Sequence, residues 1–194
     1  MSSKKQLWVL AGANGAGKTT FYTTQLKPLG LPFINADHIA KELYPAAPET
    51  HSYDAAKIAA HMRSKLLDKG ESFCFETVFS HPSKIDFIAQ AKANGYEVVL
   101  VFIHLDSLEL NLARISQRIE EGGHSVPADK VEQRIPRTLE HVKTVLPLCD
   151  YAYILLNQSI DKPFEKMATL SQNRLVLNNE ELPVWLETLL GDYL

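Results

Sequence analysis

The chain has 194 residues, of which 45 % are hydrophobic and 22 % charged, and 20 basic against 23 acidic residues leave a formal net charge of -3. That length suits one domain (1–194) with a sizeable core, and the charge offers no broad attraction for nucleic acid or for an anionic membrane, so neither is expected as a partner. No apolar run approaches the ~20 residues that span a bilayer, and Lys4 and Lys5 precede only a short apolar stretch with no cleavage site, so the expected location is the cytoplasm.

The first apolar run, Leu7 to Leu10, reads as a strand, and Gly12 to Thr19 follow it as GANGAGKT. Glycine, four residues, glycine, lysine and threonine is the pattern of a phosphate-binding loop, and a chain of this length meets it by accident with a probability on the order of 1 %. Gly12, Gly15 and Gly17 allow the backbone to wrap phosphate oxygens with its N–H groups. Lys18 supplies a point charge to the β- and γ-phosphates. Thr19 offers a hydroxyl to Mg²⁺, and the helix predicted over Thr19 to Leu26 aims its N-terminal dipole at the anion. The nucleotide-binding set is therefore Gly12, Ala13, Asn14, Gly15, Ala16, Gly17, Lys18, Thr19 and Thr20, with ATP and Mg²⁺ as the expected ligands. No Asn-Lys-x-Asp motif for guanine is present.

Further strands are predicted over Phe33 to Asn35, Ser72 to Glu76, Val98 to Leu105 and Tyr151 to Asn157. Helical spacing fills the intervals at Tyr53 to Leu67, Ser83 to Ala93, Leu108 to Glu120 and Asp129 to Leu146. Alternating strand and helix implies a three-layer α/β sandwich around a five-stranded, mostly parallel sheet. Beyond Asn157, Pro163 to Leu170 and Arg174 to Leu177 read as a short hairpin and Leu182 to Leu190 as a closing helix. Cys74 and Cys149, far apart in apolar surroundings, read as small buried hydrophobes.

Ligands of such sheets sit beyond the carboxyl ends of the strands, which selects Asn35, Asp37, Glu76, Thr77, Asp106 and Asn157. Asp37 can cap the helix His38 to Leu43, or face the γ-phosphate and take the proton of an attacking hydroxyl; both roles fit a helix start. Glu76 ends a buried strand, where a carboxylate needs a partner: it can hold a substrate hydroxyl, position a water on Mg²⁺ or compete with Asp37 as base. Asp106 reads as the cap of the helix from Leu108. Arg114 and Arg118, then Arg134 and Arg137, lie on a helix pair joined by Glu121-Gly122-Gly123-His124. This is a lid region around 114–137 that can bring cations to the transferring phosphate, the alternative being surface pairing such as Arg118 with Glu121. His124 is either part of that lid or a plain loop residue. His51, His61, His81, His104 and His141 share no metal-ligand spacing and are expected in solvated or capping roles.

With the glycine loop, Asn-Ala-Asp after the second strand, the acid of Phe-Cys-Phe-Glu-Thr and the stretch Gly122-Gly123-His124-Ser125-Val126-Pro127 in order, the chain from about Leu7 to Arg137 resembles the zeta-toxin family of P-loop kinases, in its compact bacterial branch. The resemblance implies a P-loop NTPase fold of nucleotide-kinase type and ATP-dependent phosphorylation of a sugar hydroxyl, that of UDP-N-acetylglucosamine in the toxins. It assigns ATP and magnesium to Lys18 and Thr19, the general base to Asp37, a substrate-binding acid to Glu76 and a phosphate-stabilising arginine to Arg118; Thr77, at the same strand end as Glu76, is a further substrate-binding candidate. The chain departs from the family where Thr77-Val78-Phe79-Ser80 replaces a Gly-Thr-Gly-Arg run, where a second substrate acid falls at Ala60, and where a lid arginine aligns with His124, so that Arg134 or Arg137 has to replace it. Neither toxicity nor an antitoxin partner is readable from the chain. The rival readings are a kinase of another small metabolite or nucleoside, and a nucleotide-dependent protein-binding module.

Overall fold

Alternation along β1 (Gln6–Ala11) sends Leu7, Val9 and Ala11 to one face of a sheet and Trp8 and Leu10 to the other. The computed structural model describes residues 4–120, 127–172 and 174–194, apart from the side chain of Arg118. On either side of β1 lie β3 (Phe73–Thr77) and β4 (Glu97–His104), both parallel to it, with Val9 opposite Phe75 and Leu100. The short β2 (Phe33–Ile34) extends the ladder beyond β3, and β5 (Tyr151–Leu156) extends it beyond β4. Near-continuous burial of β4, seven of whose eight residues are buried, is what a central parallel strand covered on both faces requires.

The sheet is larger than the sequence reading expects. The hairpin after Asn157 forms as β6 (Glu165–Ser171) and β7 (Arg174–Leu177), but it joins the sheet: β6 runs antiparallel to β5, and β7 antiparallel to β6. The result is a mixed sheet of seven strands in the order β2-β3-β1-β4-β5-β6-β7, not five mostly parallel strands. The physical reason lies at the edge of β5, whose N–H and C=O groups would otherwise stay unpaired. Met167, Ala168 and Leu170 of β6 also bury their side chains there.

Among the described residues, seven helices flank the strands: α1 (Lys18–Phe21), α2 (Ala36–Leu43), α3 (Ser52–Lys69), α4 (Ser83–Ala93), α5 (Leu108–Glu120), α6 (Ala128–Val145) and α7 (Val184–Leu190). The chain continues from α1 through a wide π turn and a 3-10 turn to Leu29, so the helical segment predicted to Leu26 is present but not uniformly α. Residues of α3, α4, α6 and α7 cover the face that carries Val9, Phe75 and Leu100. Full burial of Phe75 there contributes about 2–3 kcal/mol, and its ring meets that of Phe87 edge-on at 5.8 Å. On the other face Leu10, Val101 and Ile103 pack with Ala16 and Leu26. Among the described residues no helix is long and apolar enough to cross a membrane.

Cys74 and Cys149 are both buried and free, and burial pushes each thiol up to about 12, so they act as the small hydrophobes expected. Two other assignments shift. The cap of α5 is Ser107, whose Oγ accepts from the Leu110 N–H at 3.1 Å, whereas Asp106 faces His104, 3.7 Å from its Nε2. His104 is neither solvated nor a cap: it is 6 % exposed and lies between Phe102 and Trp185. Burial lowers its pKa to about 4, against the opposing pull of Asp106.

This burial has a signed consequence for stability. In the unfolded chain the imidazole binds a proton near pH 6.5, in the fold only near 4, so between these values the unfolded state holds more protons. The His104 contribution is therefore intact above about pH 6.5 and is lost as pH falls toward 4. Urea unfolding of His104→Leu across this range is expected to give a flatter stability profile than wild type; an equal slope in both proteins would assign the acid loss to other groups.

Candidate active site

The parallel strands end at one edge of the sheet, and the loop from Gly12 to Gly17 turns across it. A Cβ on Gly12 would run into the carbonyl oxygen of Ile103. At Gly17, φ is +93° and a Cβ would stand 2.5 Å from Asn157 Nδ2, so only glycine lets the loop lie this close to β5. Asn157 then holds the loop: its backbone N–H donates to the His104 carbonyl at 3.0 Å and its Nδ2 to the Ala16 carbonyl at 2.9 Å. From inside, Lys18 Nζ donates to the Ala13 carbonyl at 3.0 Å.

On the opposite side of the loop stands Glu76, paired in register with Leu10 of β1. Its side chain is 10 % exposed. Oε2 accepts from Thr19 Oγ1 at 3.0 Å and from Asn35 Nδ2 at 2.9 Å, and Lys18 Nζ lies 3.7 Å from Oε1. These donors meet the requirement that a buried carboxylate be hydrogen-bonded. Asn35 has a second duty. Its Oδ1 accepts from the Asp37 and His38 N–H groups at 2.8 and 3.2 Å, which makes Asn35, not Asp37, the cap of α2. Asp37 sits half-buried in the first turn.

The exit of β3 is clamped from α6. Thr77 Oγ1 accepts from the Phe79 N–H at 3.0 Å, Thr138 donates to the Val78 carbonyl at 2.9 Å, and His141 Nδ1 lies 3.0 Å from the Phe79 carbonyl. Phe79 is held at a φ of +66°. The same helix carries Arg134, whose Nη1 donates to Asn14 Oδ1 at 3.3 Å on the phosphate loop. Arg114 donates from α5 to the Asn157 carbonyl at 2.8 Å. Arg137 is exposed and lines neither cavity described below, so of the two candidates on α6 only Arg134 reaches the loop. The Arg118 side chain and His124, with the rest of 121–126, lie outside the described residues. Ala60 is exposed and turned from the site; α3 presents Ser52, Ala56, Ala59 and Arg63 to it instead.

Two cavities flank this centre. One, of about 480 Å³, lies between α3, α6 and the exit of β3 and is lined by Thr77, Arg63, Lys84 and Arg134. The other, of about 810 Å³, is lined by Gly15, Gly17, Thr19, Thr20, Arg114 and Phe164. Lys18, Asn35, Asp37 and Glu76 line both. A phosphate chain fits the loop, since the space left by the missing Cβ atoms is what close backbone approach needs. Among the described residues no three His, Cys, Asp or Glu side chains cluster to hold a metal. The Thr19 hydroxyl and the Glu76 carboxylate are hard oxygen donors of the kind that Mg²⁺ takes beside water and phosphate.

Residues 1–159 match the family model described as zeta toxin. An uncharacterised protein of Haemophilus influenzae is 33 % identical over 138 residues, which cover 68 % of this chain and 98 % of that protein. Among solved structures, the crystal structure of AvrRxo1-ORF1:-ORF2 with ATP aligns at a TM-score of 0.73 and 20 % identity over 92 % of this chain. This chain spans 62 % of the AvrRxo1 chain that it matches. The PezAT chromosomal toxin-antitoxin system of Streptococcus pneumoniae aligns at 0.66 and 19 % identity, over 100 % of this chain and 86 % of the matched one. At these identities the structural likenesses concern the fold.

Asn157 was one strand-end residue among several in the sequence, and the fold makes it the support of the phosphate loop. Asn157→Ala leaves the buried Ala16 carbonyl without its donor, a loss of about 1–2 kcal/mol, and is expected to weaken ATP binding about tenfold. Calorimetry checks this, and unchanged affinity would mean that the loop keeps its shape without β5.

Proposed function

The chain belongs to the zeta toxin family, and on that premise we propose that it is a cytoplasmic ATP-dependent phosphotransferase acting on a sugar-nucleotide hydroxyl, with UDP-N-acetylglucosamine the first acceptor to test. The observation that carries this reading is the pair of cavities with Lys18, Asn35, Asp37 and Glu76 between them. A group-transfer enzyme needs two binding spaces that meet at the reacting atoms, with charge and a base at the junction. We assign the larger cavity to ATP, its phosphates along Gly12 to Thr20, and the smaller to the acceptor.

In this assignment Asp37 takes the proton of the acceptor hydroxyl as its oxygen bonds to the γ-phosphorus and ADP departs. Glu76 is less suited to be the base, because Thr19, Asn35 and Lys18 already surround its carboxylate. Its place beside Thr19 supports the metal-side role over the substrate-side one: Thr19 and Glu76 would hold Mg²⁺, which when bound neutralises charge on the β- and γ-oxygens. Lys18 and Arg134 steady the transferring group, Arg134 taking the role of the lid arginine for which this chain has His124. Arg118 belongs to the same proposal through the resemblance, and Thr77 borders the acceptor. PezAT is a toxin-antitoxin system and AvrRxo1-ORF1:-ORF2 a complex, and an antitoxin-like partner for this chain is part of the proposal.

Incubation with ATP, Mg²⁺ and UDP-N-acetylglucosamine, beside a panel of sugars, nucleosides and aminoglycosides, tests the reading by mass spectrometry. A product heavier by one phosphate is the expected result; hydrolysis of ATP with no phosphorylated acceptor would sink it in favour of a nucleotide-dependent binding module. Asp37→Asn is expected to lower transfer at least 10³-fold while ATP affinity stays within about twofold, since the base acts only in the transition state. Full activity in that variant would remove Asp37 from the chemistry.

A further inference from the structure

Arg63 takes no part in the reaction described above, yet it is placed as a binding group. It lies at the end of the α3 stripe Ser52, Ala56, Ala59 that faces the smaller cavity, and it is only 7 % exposed. Its guanidinium carbon is 5.1 Å from the centre of the Phe75 ring and 5.5 Å from that of Phe87. Among the described residues it makes no hydrogen bond and no ion pair, and its Nε is buried with no acceptor. Burial draws its pKa down to about 10, which leaves it charged at neutral pH.

A second cation adjoins it. Lys84, near the start of α4, lines the same cavity, and burial together with the Arg63 charge lowers its pKa. Its Nζ has the Ser83 hydroxyl as partner at 3.4 Å. Asp37, Glu49 and Glu76 line the cavity too, but none pairs with Arg63. A buried charge without a counter-charge is costly, and the half-buried Lys84 beside it adds a second charge of the same sign. Cation–π attraction to the Phe75 and Phe87 rings stabilises the guanidinium but satisfies none of its N–H donors.

We propose that Arg63 and Lys84 form the seat for an anionic group, a phosphate or a carboxylate, carried by the acceptor. The inference rests on reading the smaller cavity as the acceptor side. It narrows the acceptor to a compound whose reacting hydroxyl and anionic group lie at opposite ends of one cavity, the hydroxyl at Asp37. The planar donors of Arg63 match two oxygens of such a group, while Lys84 adds a point charge.

The test uses the full chain saturated with Mg²⁺ and a non-hydrolysable ATP analogue, so that the phosphate loop is filled. Calorimetric titration with inorganic phosphate and, separately, acetate is expected to find one anion site per chain for at least one of them, and which one binds separates the two sources. Arg63→Met is expected to weaken that site at least tenfold, Lys84→Met less, and Arg63→Lys to keep part of it. Because Arg63→Met removes an unpaired buried charge, its melting temperature is expected to equal or exceed that of wild type, and unchanged affinity for the ATP analogue confirms a native fold. No anion site in wild type, or a site untouched by both substitutions, overturns the proposal and leaves Arg63 as packing for Phe75 and Phe87. Turnover separates this from the function itself: phosphate transfer that favours N-acetylglucosamine over its 1-phosphate sinks the anion seat but keeps the kinase, whereas an anion site without transfer to any acceptor does the reverse.

Discussion

A carboxylate buried at the end of a central strand is stable only if several donors converge on it. Glu76 is in that position, and its donors come from separate parts of the chain: Lys18 and Thr19 from the start of α1, Asn35 from the entry to α2. Hydrogen-bond lengths thus fix the phosphate loop, the second helix and the third strand relative to one another. Because Asn35 also caps α2, the first turn of that helix cannot shift without loosening Glu76, and Asp37 inherits this precision. The residues that separate the two cavities are therefore those that hold the local fold together.

The loop is gripped from its other side as well. With β1 between β3 and β4, the segment after Ala11 passes between Glu76 on one flank and Ile103 and Asn157 on the other. A loop so enclosed has little freedom to lose when an anion arrives, which is how a binding site avoids reorganisation cost. Arg114 and Arg134 differ in kind. They are long side chains that reach the same centre from α5 and α6, through contacts with Asn157 and Asn14. Rigid backbone donors and adjustable cations thus act on one point.

The cations divide by partner. Lys18 is matched by Glu76 and the Ala13 carbonyl, and Arg134 by Asn14. Arg63 has aromatic faces alone, while Lys84 has a single hydroxyl. An unbalanced buried charge is costly, and on a cavity wall a group from outside the chain can reach it.

Several features were legible because they depend on neighbours in the chain. The loop from Gly12 to Thr19, the alternation along β1, and the bounds of α4 and α5 follow from local backbone preference and periodicity. Choices between adjacent residues of similar type were not legible: Asn35 and Asp37 are both good caps, as are Asp106 and Ser107, and only the path of the backbone decides which side chain turns back to the helix. Nor could the reading know that β6 would complete the edge of β5, or that Trp185 of α7 would bury His104. Arg63 carries no sequence signal at all, since its burial depends on Phe75 and Phe87 from two other elements. The sequence by itself determined that this chain carries the glycine-loop and lysine pattern of a phosphate site, because that pattern sits within eight consecutive residues. Which acids, amides and cations surround that loop was decided by the tertiary structure alone, because their contacts join residues far apart in the chain and exist only once the sheet has brought the strand ends together.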